Sequence, residues 1–456
     1  MSEGSQSKED LIKKASKPAL EAMRLHPFYQ GKIEVTSKCC VRDFNDFAIW
    51  YTPGVAKPCL EINMNPDAAF EHTNKANAVA VVSNGTRVLG LGDIGAQASL
   101  PVMEGKALLF KYLGGVDAYP ICLDTKDPDK VIEIVKIIQP SFGGINLEDI
   151  EKPACFKILD TLRADKEVVI PVWHDDQQGT AAIALAGLIN ALKIVGKSLE
   201  EVKVVFNGAG AANVAIYRIF KAAGMKASNA LFVDSKGIIS QANEELQEKE
   251  PYKWDLALQT NPDGITGGLA EALNGADVMM SAGALGPGAI AVDAVKGMAT
   301  DSIVFACENP TPGMWPWEAE EAGVKVFATG RSDFKNQVNN SLGFPGIFRG
   351  ALDVHALTIS DPMCIAAANE IAAVAEEKSE LSPDYIVPTM DDWILFPREA
   401  VAVAMKCMEE GLARVNKTRD ELYALDEAII KRSRDMVKML QDTGFIKLPP
   451  PAEDDE

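Results

Sequence analysis

The feature that most constrains this chain is a pair of glycines set between an apolar run and a run with helical spacing. Val202–Phe206 reads as a buried strand. Gly208-Ala209-Gly210-Ala211-Ala212 turns from it into a helix over Ala211–Ala223, and Ala230–Val233 is the next strand, with Asp234 at its end. A strand, a glycine turn, a helix and a second strand closed by an acid form the context in which a glycine fingerprint binds a dinucleotide. Without side chains the glycines let a diphosphate approach the backbone, and the helix N-terminus offers N–H donors and partial positive charge. Asn213 stands where a third glycine commonly allows the helix to pack closely on the strand. Asp234 is placed to accept ribose hydroxyls, and Ser235 and Lys236 supply a hydroxyl and an ammonium that suit a 2′-phosphate. The carboxylate of Asp234 opposes that phosphate, so the residues lean toward NADP and leave NAD open.

Around this unit, strand-like and helix-like segments alternate. Strands are expected at Ala78–Val82, Val116–Leu123, Glu167–Val172, Val278–Ser281, Ile303–Ala306 and Val324–Ala328. Helices are expected at Gly105–Leu113, Lys130–Ile138 and Gly179–Ile194, and over 365–377 and 398–439. This pattern predicts an α/β protein. Its 456 residues suit two to three domains. With 45 basic against 65 acidic residues the formal charge is −20, a poor match for a nucleic-acid backbone or an anionic membrane. The eight cysteines form no C-x-x-C pair and read as reduced thiols. The longest apolar run, Ala181–Leu192, falls short of a membrane span and is broken by Gly187 and Asn190, so a cytoplasmic protein is expected.

Two acidic pairs carry the chemistry. Glu148-Asp149 follows Gly143-Gly144-Ile145-Asn146-Leu147, and Asp175-Asp176 follows Trp173-His174. Paired acids are usually solvated. These abut apolar strands and glycines, where an unpaired carboxylate is costly to bury. Three carboxylates converging on a divalent cation relieve that cost, and oxygen ligands select Mg²⁺ or Mn²⁺ over zinc. Lys106 stands at the mouth of an apolar helix, where its ammonium is either destabilised into a base near neutral pH or snorkels to solvent. Tyr51 opens a Thr-Pro-Gly turn as a phenol or a packed aromatic. Arg87 precedes a glycine run and is a carboxylate clamp or a surface ion pair.

Taken in order, Tyr51-Thr52-Pro53-Gly54-Val55, the stretch from Gly85-Thr86-Arg87 to Gly92-Asp93, Glu104-Gly105-Lys106, Glu148-Asp149, His174-Asp175-Asp176-Gln177-Gln178-Gly179-Thr180 and Asn339-Asn340 before Phe344-Pro345-Gly346 resemble the malic enzyme family in its short, stand-alone form. The resemblance implies an N-terminal α/β domain over 1–162 and a Rossmann-type, doubly wound NAD(P)-binding domain over 163–395. C-terminal helices and an acidic tail fill 396–456. It implies oxidative decarboxylation of L-malate to pyruvate and CO₂, with NADP⁺ or NAD⁺ reduced and a divalent cation required. By the same resemblance Glu148, Asp149 and Asp176 hold Mg²⁺ or Mn²⁺, Lys106 is the base, Tyr51 the acid, and Asp175 pairs with Lys106. Arg87, Asn309 and Asn340 bind substrate, and Asn309 also faces the cofactor held by Gly208, Gly210, Ala211, Ala212, Asn213, Asp234, Ser235 and Lys236. A homodimer is implied as well. Three residues depart from the family pattern: Asn213 for glycine, Glu308 for a small residue before Asn309-Pro310, and Lys335 for proline. Two other outcomes stay open: a malolactic enzyme releasing lactate, and a module that senses dinucleotide and dicarboxylate without chemistry.

Overall fold

The computed structural model describes residues 8–282, 286, 288–308 and 311–451. The chain opens with helix α1 (Lys8–Tyr29). Strand β1 (Ala78–Ser83) is buried along its whole length, as a strand covered on both faces must be. Helix α2 (Ala96–Gly114) crosses to β2 (Asp117–Cys122), α3 (Pro128–Ile138) to β3 (Gly144–Leu147), and α4 (Ala154–Ala164) to β4 (Val172–His174). The four strands form a parallel sheet in the order β2-β1-β3-β4.

The strand expected at Glu167–Val172 forms later than predicted. Pro171 has no N–H to give a ladder, so only its carbonyl takes part, accepting from Ile145 N–H, and regular pairing begins at Val172. Because β4 pairs with β3, the domain boundary expected at 162/163 falls ahead of a strand that belongs to the first sheet. The single helical run expected over 398–439 is two helices, Leu395–Glu409 and Arg419–Asp442, with Gly411 in the left-handed region between them (φ +71°). The expected tail reaches beyond the described residues after 451.

Helix α5 (Thr180–Val195) leads into a second sheet. The continuous helical stretch Asp175–Val195 is long and apolar enough to cross a membrane by composition, but 72% of that apolar window is buried inside the protein, as in a core helix. The second sheet contains β5 (Val204–Asn207), β6 (Ala230–Asp234), β7 (Gly237–Ile238), β8 (Val278–Ser281), β9 (Ile303–Ala306) and β10 (Val326–Thr329), with α6 (Ala211–Ala222) joining β5 to β6. Its order is β10-β9-β8-β5-β6-β7, parallel except for β7. The chain passes from β5 to β6 and β7 on one side and then returns to place β8 on the other side of β5. The carboxyl end of β5 is therefore the switch point at which such sheets bind ligands.

Four helices close the fold: α7 (Phe344–Asp353), α8 (Asp361–Lys378), α9 (Leu395–Glu409) and α10 (Arg419–Asp442). Helix α7 packs on both α9 and α2, and α10 packs on α2. Phe110 of α2 meets Phe344 and Phe348 of α7 at ring-centroid distances of 4.6 and 5.2 Å. This packing fixes the helix that carries Lys106.

Helix α10 also buries a carboxyl group. Asp426 is fully buried, 3.9 Å from Arg349, which is itself paired with Asp353. Burial, reinforced by the Asp353 carboxylate, pushes Asp426 up to about 10 against the pull of Arg349 and Lys417. The native state therefore keeps a proton that the unfolded chain releases above about pH 4, so this group lowers stability progressively from there to about pH 10. Asp426→Asn removes the titration. Its stability advantage over the wild type, read from urea midpoints, is expected to widen by about 1 kcal/mol per unit between pH 6 and 9. Parallel pH curves would show that Asp426 is ionised in the native state.

Candidate active site

Strand register builds the acidic cluster. Leu147 of β3 pairs with His174 of β4, so the residues that follow each strand, Glu148-Asp149 and Asp175-Asp176, emerge side by side. Asp149 N–H donates to Asp176 Oδ2 at 2.8 Å. One carboxylate oxygen from each of Glu148, Asp149 and Asp176 lies within 4.8 Å of the others. Asn146 Nδ2 donates to Glu148 Oε2 at 2.9 Å, whereas the buried Oδ2 of Asp149 has no hydrogen-bond partner. Asp149 also sits in the left-handed region at φ +55°. Such a conformation persists in a non-glycine residue only where its surroundings hold it.

Burial, followed by the like charge of Asp176, pushes the Asp149 carboxyl up to about 8. Burial likewise lifts Glu148 well above the usual carboxylate range, opposed by Lys106. An all-oxygen donor set, a buried oxygen without a partner and mutual repulsion together fit a hard divalent cation.

Lys106 does not snorkel. Only 7% of its side chain is exposed; its ammonium pairs with Asp175, meets Glu148 Oε1 at 3.0 Å and lies 4.3 Å from the Phe344 ring centroid. The expectation of a destabilised ammonium needs correction. Burial opposes the charge, but Asp175 and Glu148 outweigh it and hold the group above the ordinary lysine value. Trp173 Nε1–H donates to Asp175 Oδ1 at 3.2 Å and fixes that carboxylate. A Cβ on Gly179 would meet Asp175 Oδ1 at 1.9 Å, so only glycine leaves room for the Asp175 carboxylate here.

Arg87 lies in the loop after β1, anchored by its N–H donating to the Asp149 carbonyl at 3.0 Å. Its guanidinium has no carboxylate within ion-pair distance among the described residues. Tyr51 is not brought to the cluster. It is 72% exposed, and among the described residues it shares no hydrogen bond with Lys106 or the acids. Asn309 lies outside the described residues.

At the end of β5, Gly208 adopts φ +103° and donates its N–H to the Val233 carbonyl at 2.7 Å. Gly210 caps α6, Ala211 and Ala212 form its first turn, and the space over Gly210 is open. Asn213 leaves no gap in the packing. It is buried, and its Nδ2 donates to the carbonyls of Asn207 and Gly208 at 2.8 Å each, bracing the turn from beneath. Glu308 is also a brace: Ser281 Oγ donates to it, and so does Gly313 N–H at 3.0 Å.

Asp234 Oδ1 accepts from Lys236 N–H at 2.8 Å, and Ser235 and Lys236 form the exposed turn into β7. Sequence reasoning missed Lys253. Nearly buried, it binds Asp234 Oδ2 at 2.7 Å and Glu250 at 2.8 Å, and so compensates the carboxylate that opposes a 2′-phosphate. No local pattern announces the partner of a lysine 19 residues from the carboxylate it binds. Trp173 and Asn146 were similarly invisible as partners of Asp175 and Glu148. The period-two alternation around β3 and β4 places Asn146 on the same face as Glu148, the one signal available.

Residues 30–163 match the malic enzyme N-terminal domain, and residues 177–411 match the malic enzyme NAD-binding domain. This chain belongs to the malic enzyme family. An NAD-dependent malic enzyme of Geobacillus stearothermophilus is 52% identical over 384 residues, covering 84% of this chain and 78% of the relative. A bifunctional malic/malolactic enzyme of Bacillus subtilis is 48% identical over 402 residues, 88% of this chain and 96% of the relative. The crystal structure of Entamoeba histolytica malic enzyme superposes with a TM-score of 0.93 at 45% identity, over 98% of this chain and 93% of that one. Relatives named as NADP-dependent malic enzymes are 42–44% identical. The malic enzyme described here is thus an oxidoreductase that uses a nicotinamide dinucleotide, and the names of its relatives divide between NAD and NADP.

Proposed function

We propose that this malic enzyme oxidatively decarboxylates L-malate to pyruvate and CO₂ at the Lys106 cluster, with NADP⁺ preferred over NAD⁺ and with Mg²⁺ or Mn²⁺ held by Glu148, Asp149 and Asp176. The observation that carries this reading is the β3–β4 register, which sets three carboxylates against a buried lysine. Arg87, Asn309 and Asn340 bind the two substrate carboxylates. Lys106 takes the proton of the C2 hydroxyl, and Asp175, fixed by Trp173, keeps the amine aimed at that oxygen. Tyr51 returns a proton to C3 after CO₂ departs. The dinucleotide supplies a hydride acceptor for C2. Glu148, Asp149 and Asp176 would hold the cation, which would supply Lewis-acid polarisation of the C2 oxygen and electrostatic stabilisation of the enolate, and Glu148 so engaged would hold Lys106 protonated less strongly.

The preference for NADP⁺ is supported by Lys253 beside Asp234 and by Ser235-Lys236 in the adjoining turn. A homodimer is supported by the exposed apolar arm that carries Tyr51: Phe44 is 90% exposed, Leu60 58% and Met64 78%. Burial of this arm by a second copy removes apolar area that a lone chain leaves in water. In the dimer Tyr51 leaves solvent for the site.

One experiment tests the whole. Material that sediments at twice 49.1 kDa is assayed with L-malate and Mn²⁺, following reduced cofactor and pyruvate with NADP⁺ and NAD⁺ in parallel. Stoichiometric pyruvate and NADPH, with higher kcat/KM for NADP⁺, are expected. Lactate without net reduction would make it malolactic, binding without turnover would make it a sensor, and higher kcat/KM for NAD⁺ would reverse the cofactor assignment.

A further inference from the structure

Beyond the metal carboxylates the chain runs Ile150-Glu151-Lys152-Pro153, and this short segment carries Lys152 onto the glycine turn of the second sheet. The Lys152 ammonium donates to the Ala209 carbonyl oxygen at 3.2 Å and lies 5.7 Å from the centroid of the Tyr252 ring. Among the described residues it has no carboxylate within ion-pair distance, whereas Lys106 and Lys253 each have two. Its single hydrogen-bond acceptor is thus a neutral carbonyl of the glycine turn itself. Burial, followed by the nearby Lys253, lowers its pKa, against the opposing pull of Glu250 and Asp234.

What faces Lys152 is as informative. Helix α6 begins at Gly210 without a side-chain cap, and the volume over Gly210 is open. The Lys152 ammonium is held one residue before this cap, so it and the first-turn amides of the helix are both close to where an anion at the glycine turn would sit.

We propose that Lys152 is a cofactor-binding residue that pairs with the diphosphate of the nicotinamide dinucleotide and exchanges the Ala209 carbonyl for a phosphate oxygen. The proposal rests on dinucleotide binding at the glycine turn, and it adds a contact from the segment that also bears the metal carboxylates. The diphosphate is common to NAD and NADP, so Lys152 strengthens both and does not choose between them. That separates its role from those of Lys253, Ser235 and Lys236.

The test is equilibrium binding of NADH, NADPH and ADP-ribose to the full-length protein without malate or metal, comparing wild type with Lys152→Met and Lys152→Arg. The methionine variant is expected to bind all three roughly 10- to 100-fold more weakly, the scale of a lost hydrogen bond to a charged group. Its ligand-free melting temperature should be unchanged, and arginine should restore most of the affinity. Unchanged affinities would overturn the proposal. Weakening confined to NADPH would also overturn it, because Lys152 would then read the 2′-phosphate. A melting temperature that falls together with every affinity would reduce Lys152 to a structural tie on Ala209. A wild-type protein that bound none of the three would overturn both this proposal and the cofactor part of the proposed function, whereas the other outcomes leave that function standing.

Discussion

Lys106→Ala is expected to lower kcat by about 10²- to 10⁴-fold, the range of a positioned general base. The native ammonium occupies a nearly closed space bounded by Asp175, Glu148 and the Phe344 ring, so bulk water cannot replace it at the C2 hydroxyl. Removal also leaves two buried carboxylates with less compensation, which costs about 3–5 kcal/mol of stability where a buried pair is broken. Lower activity could therefore reflect either lost chemistry or lost structure. Small primary amines separate the two. Methylamine fits the volume vacated by the side chain and should restore turnover in proportion to its free-base concentration, while leaving the melting temperature of the variant unrescued. Wild-type kcat in the folded variant would show that another group takes the proton.

Asp176→Asn is expected to have the second large effect. Of the three carboxylates it is the most accessible, with 37% of its side chain exposed, and it also accepts the Asp149 N–H. Asparagine keeps the shape but removes one negative charge from the donor set. Mn²⁺ should bind at least roughly 100-fold more weakly, the upper end of what even an outer hydrogen-bond partner of a metal ligand contributes. Saturating Mn²⁺ should raise the melting temperature of the wild type, because a ligand at 100 times its Kd adds about 2.7 kcal/mol. The variant should show little shift at the same concentration. In the absence of metal it should be no less stable than the wild type, since the change relieves repulsion on Asp149. Equal manganese shifts in both proteins would remove Asp176 from the metal site.

Much of this was readable from local patterns. The turn at Gly208 follows from a strand, a positive φ and a helix in sequence, all imposed by neighbours. The buried state of Glu148 and Asp149 was legible because they directly follow an apolar run. Properties set by distant residues were not legible. The direction of the Lys106 shift depends on Asp175, 69 residues away, and the compensation of Asp234 depends on Lys253 across a loop. Pro171 displaced β4 because a missing N–H matters only once a neighbouring strand demands it. Asn213 read as a defect in the fingerprint, since nothing local reveals that its amide reaches two carbonyls. Tyr51 is the converse case: its motif is plain in the sequence, yet in a single chain the residue stands in solvent.

The ladder between Leu147 and His174 has a consequence for how the enzyme can fail. Sliding one strand past the other by a single step would flip every side chain on it to the opposite face. The acids downstream would then part company, and no partial version of the pocket would survive. A molecule whose seam had slipped would therefore lose its metal carboxylates together rather than one at a time.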